Sequence, residues 1–569
     1  MATRVAEVAN VHGHPDDPFD CPAFRMLPAM LQEQSREKPH LWEYLHDLRI
    51  DEIGVPEFTP TLGRAHKGMK DPNVVYPSGK GVYIHIHPDP ENSRDRYNTI
   101  EPTGIPGLAQ LMPLVDARLV HVVDEIAGSD DPEVRAMALL DSLEKICTPE
   151  EDRHGLFGKF FKRDGHLRVT PAEYLGLRYL IVRDKVGLGV LEPLITDPYI
   201  EDVSCSGVGP LFVEHKVFGA LTSNVTFDTN EELDRFVVRL SEKIGRPVTY
   251  REPLVDAILP DGSRVNIVYG GDVSKRGSNF TIRKFSATPL SILDLIEFGA
   301  LTYEMAAYLS FIMREGMNVF ISGETASGKT TLLNAIAAFI PPPAKIVTIE
   351  DTPEVQLPHP NWIRESTRGA SKDSSGSAVT MMDLLKSALR QRPNEIIIGE
   401  IRGEEGAVAF QAMQTGHACM ATFHAATVEK LIQRLTGAPI NIPKVYIDNL
   451  NVVVICSAVR LPNGKEGRRV ISISEIIGYD SISDSFSFIE VFKWNPVTDE
   501  HEFVAYNNSY LLERVIAPKR GMAPKDVRNI YTEMEQRATV LRSLAERKFT
   551  DFYDFFNVLS KAYREGLFR

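Results

Sequence analysis

The 569-residue chain lacks the features that mark several common classes of protein. Its five cysteines form no CxxC pair, so we predict neither a zinc knuckle nor a disulfide framework, and the thiols fit a reducing cytoplasm. No apolar run approaches the ~20 residues that span a bilayer, and the start resembles no signal peptide, so we expect any membrane role to be peripheral. Excess positive charge is also missing, and the net charge of -14 opposes electrostatic capture of nucleic acid.

The chain is longer than one hydrophobic core usually supports, and no long low-complexity tract interrupts it. We divide it into three predicted regions. Residues 1–165 form a variable, mixed region with helical segments. Residues 166–287 show short alternating strands and turns, which indicate an α+β domain. In residues 288–569, continuous apolar strands alternate with helices, which predicts an α/β domain whose parallel sheet is covered on both faces.

Two segments near the N-terminal side leave alternatives open. The segment Val82–His87 alternates as a strand, which places His85 and His87 on one face. Two histidines can contribute to a metal site, but zinc needs three or four ligands, so we favour a solvated strand face. Residues 155–163 mix aromatic and basic side chains, which fit contact with an anionic membrane or, as we favour, a packed turn with extended lysines.

The chemistry of the sequence centres on a glycine-rich loop, residues 323–330, that reads GETASGKT. An apolar strand precedes the loop and good helix formers follow it, the order that a phosphate-binding loop requires. Glycines let backbone amides curl around phosphate, Lys329 neutralises the β- and γ-phosphates, and Thr330 ligates Mg²⁺. No NKxD guanine-reading motif is found, so ATP is the predicted nucleotide. The predicted nucleotide-binding residues are Gly323, Glu324, Thr325, Ala326, Ser327, Gly328, Lys329, Thr330 and Thr331.

Carboxylates and histidines stand at the ends of further apolar strands. A phosphate-binding loop needs acidic partners there, so we predict Glu400 as the acid that ligates Mg²⁺ together with Thr330, and Glu350 as the base that polarises water. His417 and His424 flank a later strand. They are either structural or place an imidazole near the γ-phosphate as a sensor, and the residues alone leave both interpretations open.

At this point the sequence resembles a known family. Four segments, in this order, look like the Walker A, Asp box, Walker B and His box motifs of the type II/IV secretion ATPase superfamily. The resemblance implies a RecA-like P-loop ATPase domain that uses ATP and Mg²⁺. The four segments are residues 323–330, 349–354, 383–402 and 415–424.

The resemblance extends upstream of the loop. Residues 191–203 and 254–264 are similar to the α+β, PAS-like N-terminal domain of that superfamily, which packs on a neighbour's ATPase domain in a homohexamer. Arg264 and Arg283 match the positions of its trans-acting arginines. An arginine supplied across an interface stabilises phosphoryl-transfer charge, although an ordinary surface arginine is the alternative at each position.

Within the superfamily, residues 405–417 and 428–437 resemble the archaeal branch, and residues 485–494 resemble the archaellum motor ATPase. This resemblance implies a motor that assembles and rotates a type IV pilus-like filament. It also implies a cytoplasmic location at the inner face of the cell membrane, with a polytopic platform protein and accessory motor proteins as partners.

Three alternatives are weighed against this interpretation. A pilus or secretion-system assembly ATPase is the nearest. A nucleic-acid translocase is disfavoured because the chain is acidic and has no aromatic-basic stripe, so we expect no nucleic acid. A non-catalytic scaffold is disfavoured by the intact Lys329, Thr330 and Glu400.

Overall fold

A computed structural model of the chain separates into two units, Met1–Phe285 and Ser286–Arg569, each with its own large sheet and apolar core. The aromatic and basic residues 155–163 lie outside the described part of the chain, so both interpretations of that run stay open. The structure describes residues 19, 21–48, 53–63, 66–105, 107–120, 131–149, 166–285, 288–368, 378–462, 464 and 466–566.

The first unit combines a large sheet with helices. Its strands are β1 Glu57–Phe58, β2 Val74–Gly79, β3 Val82–His87, β4 Arg96–Ile100, β5 Cys147–Pro149, β6 Leu167–Val169, β7 Ile200–Cys205, β8 Gly209–His215, β9 Gly219–Phe227, β10 Leu254–Ile258, β11 Arg264–Val268 and β12 Asn279–Arg283. Its helices are α1 Pro22–Met26, α2 Ala29–Glu37, α3 Pro39–His46, α4 Leu108–Leu119, α5 Pro132–Ile146, α6 Pro171–Ile181, α7 Glu192–Thr196 and α8 Asn230–Lys243.

One ten-stranded sheet runs through this unit in the order β1-β2-β3-β4-β9-β8-β7-β12-β11-β10. Strand β4 pairs with β9 in parallel, so strands from both sides of the boundary predicted at residue 165 share the sheet. That boundary stays a prediction. The unit shows the mixture of helices and strands expected of an α+β fold.

The expectation of a solvated histidine face on β3 is wrong. His85 is fully buried, with Nδ1 2.8 Å from the Tyr44 hydroxyl and Nε2 2.8 Å from Asn73 Oδ1. Burial lowers the pKa of His85 well below its usual value. The face is covered because helix α3, which carries Tyr44, packs over the strand, and strand alternation alone cannot report such a cover.

The second unit alternates strands and helices up to β18 and then continues as a run of strands. The strands are β13 Val319–Gly323, β14 Ile346–Glu350, β15 Trp362–Ser366, β16 Glu395–Ile398, β17 Ala418–Phe423, β18 Val452–Arg460, β19 Glu466–Asp480, β20 Ser485–Asn495 and β21 Glu500–Phe503. The helices are α9 Ile292–Glu297, α10 Tyr303–Arg314, α11 Lys329–Ala337, α12 Met381–Gln391, α13 Glu405–Gln414, α14 Val428–Thr436, α15 Ala517–Lys519, α16 Asn529–Glu546 and α17 Phe552–Arg564.

Nine strands form the sheet of this unit, in the order β15-β14-β16-β17-β13-β18-β19-β20-β21. The pairings from β15 to β18 are parallel, which confirms the predicted α/β fold. Alternate residues of β13 pack into two different apolar clusters, Phe320 into one and Val319 and Ile321 into the other, so both faces are covered. Across the described ranges, no helix has both the length and the apolar character that crossing a bilayer takes.

Candidate nucleotide site

The glycine-rich loop lies where the sequence predicts it, between strand β13 and helix α11. Gly323 has φ 155°, and a Cβ there would lie 2.1 Å from the Cys456 carbonyl oxygen on the neighbouring strand β18. Gly328 has φ 90°, in the left-handed region that favours glycine, and forms the N-cap of the helix. Both glycines are therefore needed to turn the chain from the buried strand into the helix N-terminus, where backbone amides can face an anion.

Lys329 is held inside this loop. Its Nζ donates to the carbonyl oxygens of Gly323 at 3.0 Å and Glu324 at 2.7 Å, and the residue is 9% exposed. Burial lowers its pKa, while the carboxylates of Glu400 and Glu354 act in the opposite direction. The ammonium group thus lies within the loop curve, held by carbonyls that phosphate oxygens can replace.

Glu400 and His424 reach the same place from two neighbouring strands. Glu400 follows β16 and His424 follows β17, which lies next to β13. His424 Nε2 is 2.8 Å from Glu400 Oε1, and His424 Nδ1 is 3.5 Å from Lys329 Nζ. Glu400 Oε2 also accepts from Arg402 at 2.5 Å. A cation, an imidazole and a carboxylate therefore lie in a row beside the loop.

The imidazole of His424 is neutral in this setting. Partial burial has the largest effect and lowers the pKa of His424. The positive charge of Lys329 lowers this pKa further, and the charge of Glu400 raises it. A neutral ring can accept at one nitrogen and donate at the other, so it can connect the lysine end of the site to the carboxylate.

His417 is not brought to this place. It precedes β17, whereas His424 follows it, and its Nδ1 lies 3.2 Å from Thr415 Oγ1. A strand rises ~3.3 Å per residue, so the two histidines are roughly 23 Å apart along β17. Of the two alternatives, the sensor position fits the geometry of His424 only.

Glu350 turns into the protein. It is 1% exposed, and its Oε1 accepts from the backbone amides of Glu354 and Val355, both at 2.8 Å. Its Oε2 is buried and has no hydrogen-bond partner among the described residues. Burial raises the pKa of Glu350 to about 7, against the lowering effect of the two amides. This carboxyl group holds the loop that follows β14.

The same loop carries an exposed acid, Glu354, whose charge acts on Lys329. Asn334 lies on helix α11, which follows the glycine-rich loop, and it holds the loop after β14. Its Oδ1 accepts from Gln356 N at 3.2 Å, and its Nδ2 donates to Glu354 O at 3.4 Å. Sequence reasoning passed over Glu354 and Asn334. The sequence could have indicated Glu354, since it is one of three carboxylates at the end of strand β14 and just after it.

The predicted arginines lie in the first unit. Arg264 on β11 and Arg283 on β12 are direct cross-strand neighbours, and both are exposed. Arg264 makes a two-point contact with Asp256, at 2.9 Å from Nε to Oδ1 and 2.5 Å from Nη2 to Oδ2. Arg283 lies opposite Asp202 on β7, and burial raises the pKa of that carboxyl against the lowering effect of the Arg283 charge. The two arginines form one charged surface of this unit.

The residues present fit a nucleotide triphosphate with Mg²⁺. The loop turns through positions where glycine is required, and its lysine is bonded to replaceable carbonyls. Thr330 is half-buried on the first turn of α11, and Glu400 reaches the same edge of the sheet, so a hydroxyl and a carboxylate are available to a hard cation. These are oxygen ligands of the kind that Mg²⁺ prefers.

Residues 184–466 match the family described as type II/IV secretion system protein. An uncharacterized protein of Methanocaldococcus jannaschii is 43% identical over 549 residues, which are 95% of this chain and 98% of that protein. The chain belongs to this family. The type IV secretion system protein VirB11 of Brucella suis biovar 1 is 28% identical over 316 residues, 50% of this chain and 87% of VirB11.

Among solved structures, the VirB11 ATPase from the Brucella suis type IV secretion system in complex with sulphate has a TM-score of 0.24 and 25% identity, and the match covers 50% of this chain and 92% of that one. None of these relatives is named for an archaellum. The archaellum branch therefore stays a prediction within the family.

Proposed function

We propose that this chain is an ATP hydrolase that works as a homohexameric motor for a type IV pilus-like filament, the archaellum. One observation carries the hydrolase part of the proposal: His424 lies 3.5 Å from Lys329 and 2.8 Å from Glu400 at the end of the glycine-rich loop. A glycine-rich turn with a purely structural role does not need a buried lysine, an imidazole and a carboxylate at one point. Phosphoryl transfer needs this arrangement of charges.

In this proposal the loop amides and Lys329 bind the β- and γ-phosphates, and Lys329 exchanges its two carbonyl partners for phosphate oxygens. Thr330 and Glu400 hold Mg²⁺, which neutralises charge on the same phosphates. His424, with a lowered pKa and its Nε2 2.8 Å from Glu400 Oε1, meets the γ-phosphate end and so distinguishes ATP from ADP.

For the base that orients the attacking water we propose Glu354 in place of Glu350. Glu350 is 1% exposed and commits one oxygen to two backbone amides, so it positions the loop. Glu354 is exposed on that loop, and its charge raises the pKa of Lys329. An exposed carboxylate beside the lysine can reach a water near the γ-phosphate, whereas a carboxyl group turned inward cannot.

The arginines suggest that each site is completed by a second subunit. In the resemblance to the secretion ATPases, Arg264 and Arg283 act on a neighbour's nucleotide, and here they are cross-strand neighbours on one exposed face. We expect that mixing Arg264→Ala subunits with Lys329→Ala subunits restores part of the hydrolysis, since some interfaces then combine an intact loop with an intact arginine. Absence of rescue at every mixing ratio would contradict a role in trans.

The filament and its partners rest on resemblance. Strand β20 contains residues 485–494, the run that looks like the archaellum motor ATPase. A motor of that kind works at the inner face of the membrane with a polytopic platform protein and accessory motor proteins. We expect that deleting the gene removes archaella and swimming and that the wild-type gene restores both, whereas a Lys329→Ala gene does not.

Three other outcomes of that deletion are informative. Loss of non-rotating pili with unchanged swimming would favour the pilus assembly alternative, and loss of a secreted protein the secretion alternative. Intact surface structures, together with hydrolysis stimulated by DNA in the purified protein, would favour the translocase. Each result would overturn the archaellum proposal.

A further inference from the structure

Arg468, on the strand β19 of the second unit, contacts the glycine-rich loop from a side that the proposed chemistry does not use. Its Nε donates to the carbonyl oxygen of Ala326 at 2.9 Å, and its Cδ lies 3.5 Å from the position that a Cβ on Gly328 would take. The side chain is exposed, and its two terminal nitrogens have no partner in the described part of the chain. The arginine therefore touches the loop while keeping donors available.

The neighbouring residue shows that this contact is a property of position 468 and not of basic residues on β19 in general. Arg469 points to the opposite face of the strand, is 6% exposed and pairs with Asp499 at 2.8 Å through Nε. Its role is to hold the core of the sheet. Strand alternation thus separates a structural arginine from one aimed at the loop.

The sheet order places Arg468 on the flank of the loop away from the acids. Strand β13, which leads into the loop, lies between β17 and β18, and β19 follows β18. Glu400 and His424 approach from the β16–β17 flank, where the proposed γ-phosphate lies. A triphosphate laid along the loop therefore directs its nucleoside end toward the β18–β19 flank, where Arg468 lies.

The hydrogen bond also sets the direction of a loop amide. Ala326 has φ 60°, a left-handed conformation that a residue with a Cβ holds only when its surroundings enforce it. In a trans peptide the carbonyl and the following N–H point in opposite directions. When Arg468 fixes the Ala326 carbonyl outward, the Ser327 N–H points into the loop, where phosphate oxygens bind. The Ser327 hydroxyl supports this turn by donating to Glu324 O at 2.8 Å.

We propose that Arg468 is a positioning residue of the nucleotide site, which presets the Ala326–Ser327 peptide for phosphate and strengthens binding of ATP and ADP alike. The inference rests on the proposed function, because it assumes that the loop binds a nucleotide. The loop amides contact phosphates that substrate and product share, so the contribution is the same before and after hydrolysis. Such uniform binding changes KM and leaves kcat in place.

The test compares Arg468→Ala, Arg468→Lys and the control Arg460→Ala in the full-length protein. Arg460 is an exposed arginine on β18 next to the turn of the same hairpin, in register with Glu466, so its removal takes the same charge from the same hairpin. Binding of ATP and of ADP is measured by calorimetry with Mg²⁺, hydrolysis by phosphate release, and the apo melting temperature by calorimetric scanning.

We expect Arg468→Ala to weaken ATP and ADP binding by about tenfold each, the usual loss for one hydrogen bond to a charged group. KM should rise in proportion, and kcat should stay within about twofold. Arg468→Lys should recover part of the affinity, because it keeps a charge and a donor. Arg460→Ala should bind both nucleotides like the wild type.

Unchanged affinities in Arg468→Ala would overturn the inference, and so would a fall in kcat with unchanged KM. An equal loss of affinity or of apo melting temperature in Arg460→Ala would assign the effect to the hairpin as a whole and would also overturn it. Failure of the proposed function gives a different pattern, in which the wild type itself binds neither nucleotide. If the wild type hydrolyses ATP and the Arg468→Ala variant binds and hydrolyses it equally well, this inference alone is refuted.

Discussion

In the parallel sheet of the second unit, the carboxyl-terminal ends of the strands (the carboxyl edge) and their amino-terminal ends (the amino edge) carry the same residue types. The two edges differ in what surrounds these residues. Strand β16 begins with Glu395 and is followed by Glu400, and strand β17 is preceded by His417 and followed by His424. At the carboxyl edge, Glu400 and His424 lie 2.8 Å apart beside the glycine-rich loop. At the amino edge, Glu395 is 2% exposed, and burial is the cause that shifts its pKa.

This difference shows why residue type alone does not identify a site. Open α/β sheets bind ligands at the carboxyl ends of their strands, where loops and helix N-termini converge and backbone amides point outward. At the carboxyl edge, a carboxylate therefore lies near cations and hydrogen-bond donors. At the other edge burial dominates, and it raises the pKa of Glu395 well above its usual value, so this side chain is neutral. The two edges supply matched variants for testing the site.

Outside the glycine-rich loop, the largest effect is expected in the loop after β14, where Glu354 and Asp351 are both exposed. Replacing Glu354 by Gln should lower kcat by roughly 10²–10⁴-fold, the usual contribution of a general base, and leave ATP binding in place. Asp351→Asn is the control, because Asp351 bonds Thr367 instead of facing the lysine. Phosphate release and nucleotide calorimetry measure the two quantities. A Glu350→Gln variant that loses more turnover than Glu354→Gln would restore Glu350 as the base.

The difference between the two edges is tested by comparing hydrolysis in the Glu400→Gln and Glu395→Gln variants. We expect Glu400→Gln to lose about 10²–10³-fold in hydrolysis, because the ligand for Mg²⁺ and the partner of His424 are removed together. Glu395→Gln should hydrolyse ATP like the wild type at neutral pH, since the acid is already uncharged there. Equal losses in the two variants would mean that the edges do not differ in function.

A smaller effect is expected for the histidines. His424→Ala should lower kcat by about tenfold through loss of the contact between Lys329 and Glu400. His417→Ala should change kcat by less than about twofold if hydrolysis depends on the carboxyl edge alone. Steady-state hydrolysis at saturating ATP measures both. A large loss in His417→Ala would place that histidine in a site formed with another subunit.

The last prediction concerns stability and the inward carboxyl of Glu350. Its pKa is raised to about 7 in the folded protein from 4.5, so the folded state holds this proton more tightly. The stabilisation is complete below pH 4.5 and is lost as pH rises toward 7, by ~3 kcal/mol at most. Glu350→Gln should remove this part of the pH dependence. Chemical unfolding of variant and wild type between pH 5 and 8 measures it, and parallel curves would contradict the assignment.

Local patterns explain what the sequence predicted. The loop, its strand and its helix are contiguous, so Lys329 and Thr330 could be assigned from residue order alone. Glu400 and His424 could also be singled out as candidates, since each follows an apolar strand directly, and the structure places them 2.8 Å apart. The parallel sheet followed from strands that are apolar throughout, which requires helices on both faces.

What could not be predicted depends on segments that return from a distance. Glu350 turns inward because the following loop folds back and offers two amides to it. His85 is buried because Tyr44, from a helix 41 residues earlier in the chain, covers it. Arg468 reaches the loop across two strand pairings, and no spacing in the sequence indicates that approach.

The central claim is that the second unit hydrolyses ATP at the glycine-rich loop, and Lys329→Ala tests it most directly. The matched control is Lys430→Ala, which removes an exposed lysine from helix α14. Phosphate release should be robust in the wild type and in Lys430→Ala and should fall below detection in Lys329→Ala, with the apo melting temperature retained. Wild-type turnover in Lys329→Ala would contradict the account.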